Sequence, residues 1–424
     1  MSLTEGYAKL SKQISYIDKK LFDEYNIKQG LRNSNGTGVV IGITKVADVY
    51  GYDLIDGKKI PVEGRLLYRN HEITELYEKF KGSYMFEKAT YLLLFGQIPT
   101  EPQLDEFLDL IYEYRQHDLD LFNSESRRHS LMNALQVGVD QLYFEDDDAD
   151  LIDTENIIIH SLKIISRMPE ILLKGYLGKS YNLERAKELK KQRISTAQFL
   201  LEMLNREFTD EDVKILDLAL LVHAEHGGGN NSTFTVRLVS SAYTDTYSAI
   251  VAGISSLKGL RHGGANIKVC QMMHNIEYSI DYTNRDELKK YLKKIYDKKV
   301  FDKTGLIYGM GHAIYTKSDP RAELLKKLAK DLAVRKNATE KFEMHNNIEE
   351  LTKEIFSEIK GNECAMCANV DMYSGLIYEL LDLKYPIFTP LFTLARTSGW
   401  CAHRLEQIIS DKKILRPAYK TYVE

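Results

Sequence analysis

From about Ile73 to the C-terminus, apolar residues recur at helical spacing with few interruptions, and only 8 of the 424 residues are proline. Proline removes an amide donor and breaks the helical ladder, so a long chain this poor in it has little to stop helices from forming. The pattern predicts an almost all-α fold. Thr100 stands where it can cap a helix whose Leu104, Phe107, Leu108, Ile111 and Tyr114 fall on one stripe. The stretch 321–335 repeats this with Leu325, Leu328, Ala329 and Leu332, and 347–360 with Ile348, Leu351, Ile355 and Ile359, ending at Gly361. Leu10, Ile14, Ile17 and Leu21 predict an amphipathic opening helix within 1–32.

The texture changes only over 36–70, where short β-branched runs such as Val39-Val40-Ile41-Gly42-Ile43 and the turn signal Asp56-Gly57 predict a small β-hairpin region. Two charged stretches stand out. Glu145-Asp146-Asp147-Asp148 with Asp150 reads as a solvated loop. Lys289-Lys290 through Lys298-Lys299, with Leu292, Ile295 and Tyr296 interleaved, reads as a basic amphipathic helix.

The charge balance, 57 basic against 61 acidic side chains, gives a formal −4. That disfavours a general nucleic-acid binder, which needs a basic excess on at least one face. Any anion site must therefore be a local arginine cluster. A 44% hydrophobic share is ample for a large core, and the length allows two or three domains. No window approaches the ~18 apolar residues of a membrane span, and the N-terminus carries no recognisable export signal. Cys270, Cys364, Cys367 and Cys401 lack framework spacing, so the expectation is a soluble, cytoplasmic protein with reduced thiols.

Of 11 histidines, three groups lie beside glycines: His223-Ala224-Glu225-His226-Gly227-Gly228-Gly229, His262-Gly263-Gly264 and Gly309-Met310-Gly311-His312. Glycine lets the backbone turn tightly or approach a ligand, which places the imidazole at the mouth of an element. A helix-terminal histidine with no further role would look the same singly, but three such groups together are hard to explain that way. The i, i+3 spacing of His223 and His226 and the position of Glu225 do not fit the HExxH pattern of zinc hydrolases, and Cys364-Ala365-Met366-Cys367 has no second pair, so no metal is expected. Asp371 and Asn369, in Asn369-Val370-Asp371, can each cap the helix that follows, and Asp371 can instead serve as a partly desolvated general base. Arg396 sits in the otherwise apolar run Phe388–Trp400, where a guanidinium is costly unless an anion pairs with it.

Several histidines, one aspartate and several arginines, with neither metal nor nucleophilic serine, suit one task. The aspartate removes a proton beside a carbonyl, histidines meet the oxyanion that develops, and arginines hold a small polyanionic acid by its carboxylates.

At this point the chain resembles the citrate synthase family. The likeness runs from Gly64-Arg65-Leu66-Leu67-Tyr68-Arg69 to Arg416-Pro417 and rests on HAEHGGGNNST, LRHGGAN, GMGHAIYTKSDPRA and NVDMYSG in the family's order. It implies a two-domain helical fold with a minor N-terminal β element: a large domain over 1–261 and 368–424, and a small domain over 262–367. It implies a homodimer that condenses acetyl-CoA with oxaloacetate and hydrolyses citryl-CoA, the entry step of the tricarboxylic acid cycle, with no permanently bound cofactor. In the implied roles His262 hydrogen-bonds the thioester carbonyl, Asp371 takes the methyl proton, and His312 polarises the ketone and protonates the new alkoxide. His226, Arg321 and Arg396 hold oxaloacetate, and Arg416 reaches into the neighbouring subunit's site. There are departures. Leu260 stands where many members have proline, and Thr316 followed by Lys317 replaces an arginine that some relatives use on CoA phosphates, leaving Lys317 as the candidate contact. Arg69 and Arg167 are further basic candidates. A 2-methylcitrate synthase acting on propionyl-CoA is the close alternative, since one methylene is worth only about 1–3 kcal/mol of discrimination. A catalytically silent helical regulatory protein and a metal-dependent hydrolase are the readings from other classes.

Overall fold

A computed structural model describes residues 3–33, 35–117, 130–204, 207–361 and 365–422. Its chain divides into two compact units, one of 1–43 with 53–60, the other of 44–52 with 61–424. In the first unit the single opening helix expected from the sequence is replaced by two, Leu3–Ile14 and Lys20–Glu24, followed by a 3-10 turn at Gln29–Leu31. Leu10, Ile14 and Ile17 stay exposed, so no burial rewards a continuous helix. The run Val39–Ile43 forms no strand, and Val40 and Ile43 are about nine-tenths exposed (89% and 91%).

The strands lie further on. β1 (Ala47–Ile55) and β2 (Lys58–Tyr68) meet through Asp56-Gly57, both at positive φ (49° and 75°), the two-residue turn this pair favours. A short β3 (His71–Glu72) completes the order β1-β2-β3, antiparallel to β2 with Leu67 opposite Glu72.

The rest of the second unit is helical. The Glu101–Gln116 helix opens on a capping box between Thr100 and Gln103 and buries Leu104, Phe107, Leu108 and Ile111 as the stripe predicts. Pro320–Arg335 follows its periodicity, and the helix expected from 347 begins earlier, spanning Thr339–Lys360 and stopping at Gly361 with φ 84°. Ile359 lies outside the packed stripe. At the centre runs Phe388–Ser410, which packs against Thr154–Leu177, Met85–Phe95, Asn231–Ser240 and Asp210–His223. Trp400, Leu391, Leu394 and Cys401 on it are buried.

Both charged stretches acquire structure. Asp146 is not simply solvated: it accepts from the Tyr247 hydroxyl at 2.5 Å and pairs with Lys163 at 2.8 Å. The basic helix, Arg285–Tyr296, buries Leu292 and Ile295 and faces Thr339–Lys360, where Arg285, Lys289 and Lys293 pair with Glu350, Glu354 and Glu358. Three of its basic side chains are thus engaged by a neighbouring helix. No helix among the described residues is long and apolar enough to cross a membrane.

Candidate active site

Two of the three histidine motifs lie where a helix ends or begins, and the third lies in a loop. His223 closes Asp210–His223, and the chain then turns through Gly227 (φ 79°) before Asn231–Ser240 begins. Tyr68 fixes this turn, because its hydroxyl meets both the amide and the carbonyl of Glu225 at 3.1 Å. His262 precedes Ala265–Ser279. There the chain folds back so closely that a Cβ on Gly263 would lie 2.2 Å from the Leu257 carbonyl oxygen, which explains the paired glycines. His312 follows Gly309 and Gly311, both at positive φ, and its loop is tied to the segment before Asp371. Gly311 N–H donates to Cys367 O (2.8 Å), Asn369 N–H to Gly309 O (2.8 Å), and Asn369 Nδ2 to Gly311 O (2.9 Å).

The segment after His312 is held from the other side by the strands. A Cβ on Gly51 would lie 2.6 Å from Tyr315 Cα, and one on Gly64 would lie 2.1 Å from Ser318 O. Val62 and Gly64 amides donate to the Thr316 and Ser318 hydroxyls at 3.2 and 3.0 Å. Thr316 is therefore occupied with backbone groups, while Lys317 is exposed.

The motif histidines and arginines come together. The rings of His226 and His312 stand edge to face with centroids 5.1 Å apart, His312 stacks on Tyr315 at 4.6 Å, and the Arg321 guanidinium lies 5.7 Å from the Tyr315 ring. Arg321 and Arg396 are buried at 3% and 0% exposure. Arg321 gives Nε and Nη2 to Asp319 at 3.0 and 2.8 Å. Arg396 gives only Nε, to the His223 carbonyl at 2.8 Å. Its Nη1 and Nη2 meet no partner among the described residues, nor does His226 Nε2. A buried fork left open in this way is shaped for a carboxylate.

Hydrogen bonding also sets which nitrogens carry protons. His312 Nδ1 accepts from the Ile314 and Tyr315 amides, both at 3.1 Å, so the ring's hydrogen sits on Nε2 as a donor. His262 Nε2 lies 3.0 Å from Ser232 Oγ, which also receives Trp400 Nε1–H at 3.2 Å and lies 2.9 Å from Asn230 Oδ1. Burial, and then the Arg396 charge, push His262 down to about 4, which makes it a neutral imidazole at pH 7. His226 is held well below its ordinary value by burial and by the charges of Arg321 and its neighbours.

Asp371 opens the Asp371–Leu380 helix, but Asn369 does the capping: its Oδ1 accepts the Asp371 amide at 3.0 Å. The carboxylate is left spare. Burial raises it to about 6 against the lowering charge of Arg321. A base in that range still ionises at neutral pH and takes protons more readily than an ordinary aspartate.

Other sequence candidates lie elsewhere. Arg416 is exposed in the tail beyond Ser410, where the adjoining Leu415 amide donates to Ser241 Oγ at 3.0 Å. Arg69 binds the Leu93 carbonyl, and Arg167 is buried within Thr154–Leu177. Cys270, Cys367 and Cys401 are buried free thiols, and the CxxC reading falls partly outside the described residues because Cys364 is not among them. No group of three histidine, cysteine or acidic side chains among the described residues is arranged to hold a metal ion. Ser232, Tyr315 and Tyr68 were not singled out from sequence. The signal available for Ser232 was its place in NNST directly after the histidine–glycine run.

The chain matches the family described as citrate synthase, C-terminal domain, over residues 34–418. Citrate synthase of Synechocystis sp. is 31% identical over 398 residues, covering 93% of this chain and 90% of that protein. 2-Methylcitrate synthase 1 of Corynebacterium glutamicum is 30% identical over 371 residues, covering 85% and 90%. The fold is that of a citrate synthase from Thermoplasma acidophilum, solved as a ternary complex with carboxymethyl coenzyme A and oxaloacetate: TM-score 0.73, 22% identity, covering 93% of this chain and 98% of that one.

Proposed function

The chain belongs to the citrate synthase family, and from that premise we propose that it condenses acetyl-CoA with oxaloacetate and hydrolyses citryl-CoA to citrate and CoA. The observation that carries this reading is the open Arg396 fork beside neutral histidines and a spare carboxylate raised to about 6. Carboxylate anchors, oxyanion donors and a carbon base are what an enolate condensation requires.

Arg396 takes one carboxylate of oxaloacetate through Nη1 and Nη2, and Arg321 meets the other with the atoms Asp319 leaves available. His226 adds a hydrogen bond. His312 donates from Nε2 to the ketone oxygen and gives up that proton as the alkoxide forms. Asp371 removes a proton from the acetyl methyl group while His262 donates to the thioester oxygen, so negative charge meets a hydrogen bond as it develops. For that donation His262 must carry its hydrogen on Nδ1. The Ser232 hydroxyl, which donates to Asn230 Oδ1 at 2.9 Å, therefore rotates its hydrogen to His262 Nε2 for catalysis. The new C–C bond joins the acetyl carbon to the ketone carbon, and water then cleaves the thioester.

Residues 262–367 act as a small domain that closes over oxaloacetate bound on the larger part, 1–261 with 368–424, which delays the chemistry until water is excluded. The working form is a cytoplasmic homodimer in which Arg416 serves the partner's site. Its supporting observation is distance. The tail is anchored at Ser241, nine residues along the helix from Ser232, or about 13 Å at ~1.5 Å per residue, too far for Arg416 to close its own site easily. Lys317, exposed on the segment after His312, is the CoA phosphate contact.

The test is thiol release by the purified protein from acetyl-CoA and, separately, propionyl-CoA in the presence of oxaloacetate. Faster turnover with acetyl-CoA is the expected result. No release from either overturns the function, and a preference for propionyl-CoA replaces it with 2-methylcitrate synthesis, the activity named for the Corynebacterium relative.

A further inference from the structure

The long central helix Phe388–Ser410 aligns Arg396, Gly399, His403 and Glu406 on one face, at spacings of three, four and three residues. Opposite that face lies Glu225, fully buried between the two motif histidines of its segment. Its Oε1 accepts from the Gly227 amide at 2.5 Å and lies 3.0 Å from His403 Nε2. Its Oε2 has no hydrogen-bond partner among the described residues and fills the space a side chain at 399 would occupy, since a Cβ there would lie 2.0 Å from it. Gly399 thus makes room for a carboxylate one helical turn from Arg396.

The column continues outward. His403 Nδ1 lies 3.0 Å from Arg237 Nη1, and Arg237 pairs with Glu406 at 2.9 Å. A guanidinium only donates, so Nδ1 accepts and the histidine's hydrogen sits on Nε2, directed at Glu225. Arg396, Glu225, His403, Arg237 and Glu406 thereby alternate positive, negative, neutral, positive and negative from the site towards the surface.

Resting on the proposed reading of the site, we infer that Glu225 is the internal counter-ion of Arg396: a positioning residue that keeps the empty fork from being an uncompensated buried charge, and whose negative charge opposes the incoming carboxylate. Burial alone would push the Glu225 carboxyl up, but His403 and Arg396 outweigh it and hold it below the ordinary value, so it is ionised. The charge stabilises the unliganded protein at the expense of substrate affinity, which also favours release of a tricarboxylate product.

The sign of this effect separates it from a merely structural role. Glu225→Gln keeps the shape and an acceptor for Gly227 and His403 while removing the charge. Titration calorimetry should find oxaloacetate and citrate both bound roughly tenfold more tightly than by the unaltered protein, with melting by circular dichroism verifying the fold. Glu225→Asp keeps the charge, draws it one methylene away from the fork, and should tighten binding two- to threefold. Should the Gln variant fail to fold, the Asp variant decides alone. Unchanged or weaker oxaloacetate binding in a folded variant overturns the inference. Failure of the unaltered protein to bind oxaloacetate overturns instead the reading of the site on which it rests.

Discussion

Asp371→Asn should inactivate the protein and stabilise it at once. The carboxyl is displaced from 3.8 to about 6, and that displacement amounts to about 3 kcal/mol between its two protonation states. Because the side chain is not fully shut off from solvent, screening reduces the usable figure to about 2 kcal/mol. The native state binds this proton more tightly than the unfolded chain, so stability falls as pH rises. The penalty is absent below about pH 4, grows through about pH 6 and is complete above it. An asparagine resembles the protonated acid at every pH. In urea unfolding at pH 8 the variant should therefore exceed the unaltered protein by about 2 kcal/mol, and the advantage should vanish at pH 4. Turnover should drop by at least about a thousandfold while oxaloacetate binding survives, since the arginines are untouched. In the unaltered protein, kcat should rise with pH through about 6 as the base ionises. A variant no more stable at pH 8, or one that still turns over, refutes the assignment of a strained base to this position.

Ser232→Ala leaves His262 Nε2 without its 3.0 Å partner, and kcat should fall roughly ten- to a hundredfold with little change in oxaloacetate affinity, by steady-state kinetics. Arg416→Ala and His262→Ala should each be nearly inactive, yet unfolding and refolding them together should recover about a quarter of full activity, because half the dimers are mixed and each has one intact site. No recovery would mean that Arg416 does not act across subunits. Gly64→Ala forces a methyl towards Ser318 O, and thermal unfolding should report a loss of about 1–3 kcal/mol with a raised KM for oxaloacetate as Arg321 is displaced.

Helical periodicity was readable wherever a stripe is buried, as at Leu104, Phe107 and Leu108 or at Leu325 and Ala329. It misled at residues 1–32, and the β-branched run misled at 39–43, where apolar residues remain in water and no burial selects the element. In the site, the histidines and arginines were legible because glycine neighbours and an apolar setting make them conspicuous. Ser232, Tyr68 and Glu225 were not. A serine, a tyrosine or a glutamate acquires its meaning from what folds against it, and for Glu225 that is Gly399 and His403, more than 170 residues away, the latter at a separation of 178. The competition between Asn369 and Asp371 for the helix start was likewise open in sequence, and one hydrogen bond decides it.

The contact between Val62 and Thr316 spans 254 residues of chain. During synthesis at ~5–20 residues per second, the β2 segment emerges about 13–50 s before the segment it must hold. Throughout that interval Gly51 and Gly64 face an empty slot, and Arg321 does not yet exist. A nascent or prematurely ended chain therefore carries part of the catalytic apparatus but none of its order. The thioester is safe from it, because the site becomes an enzyme only when Arg396, residue 396 of 424, has been made.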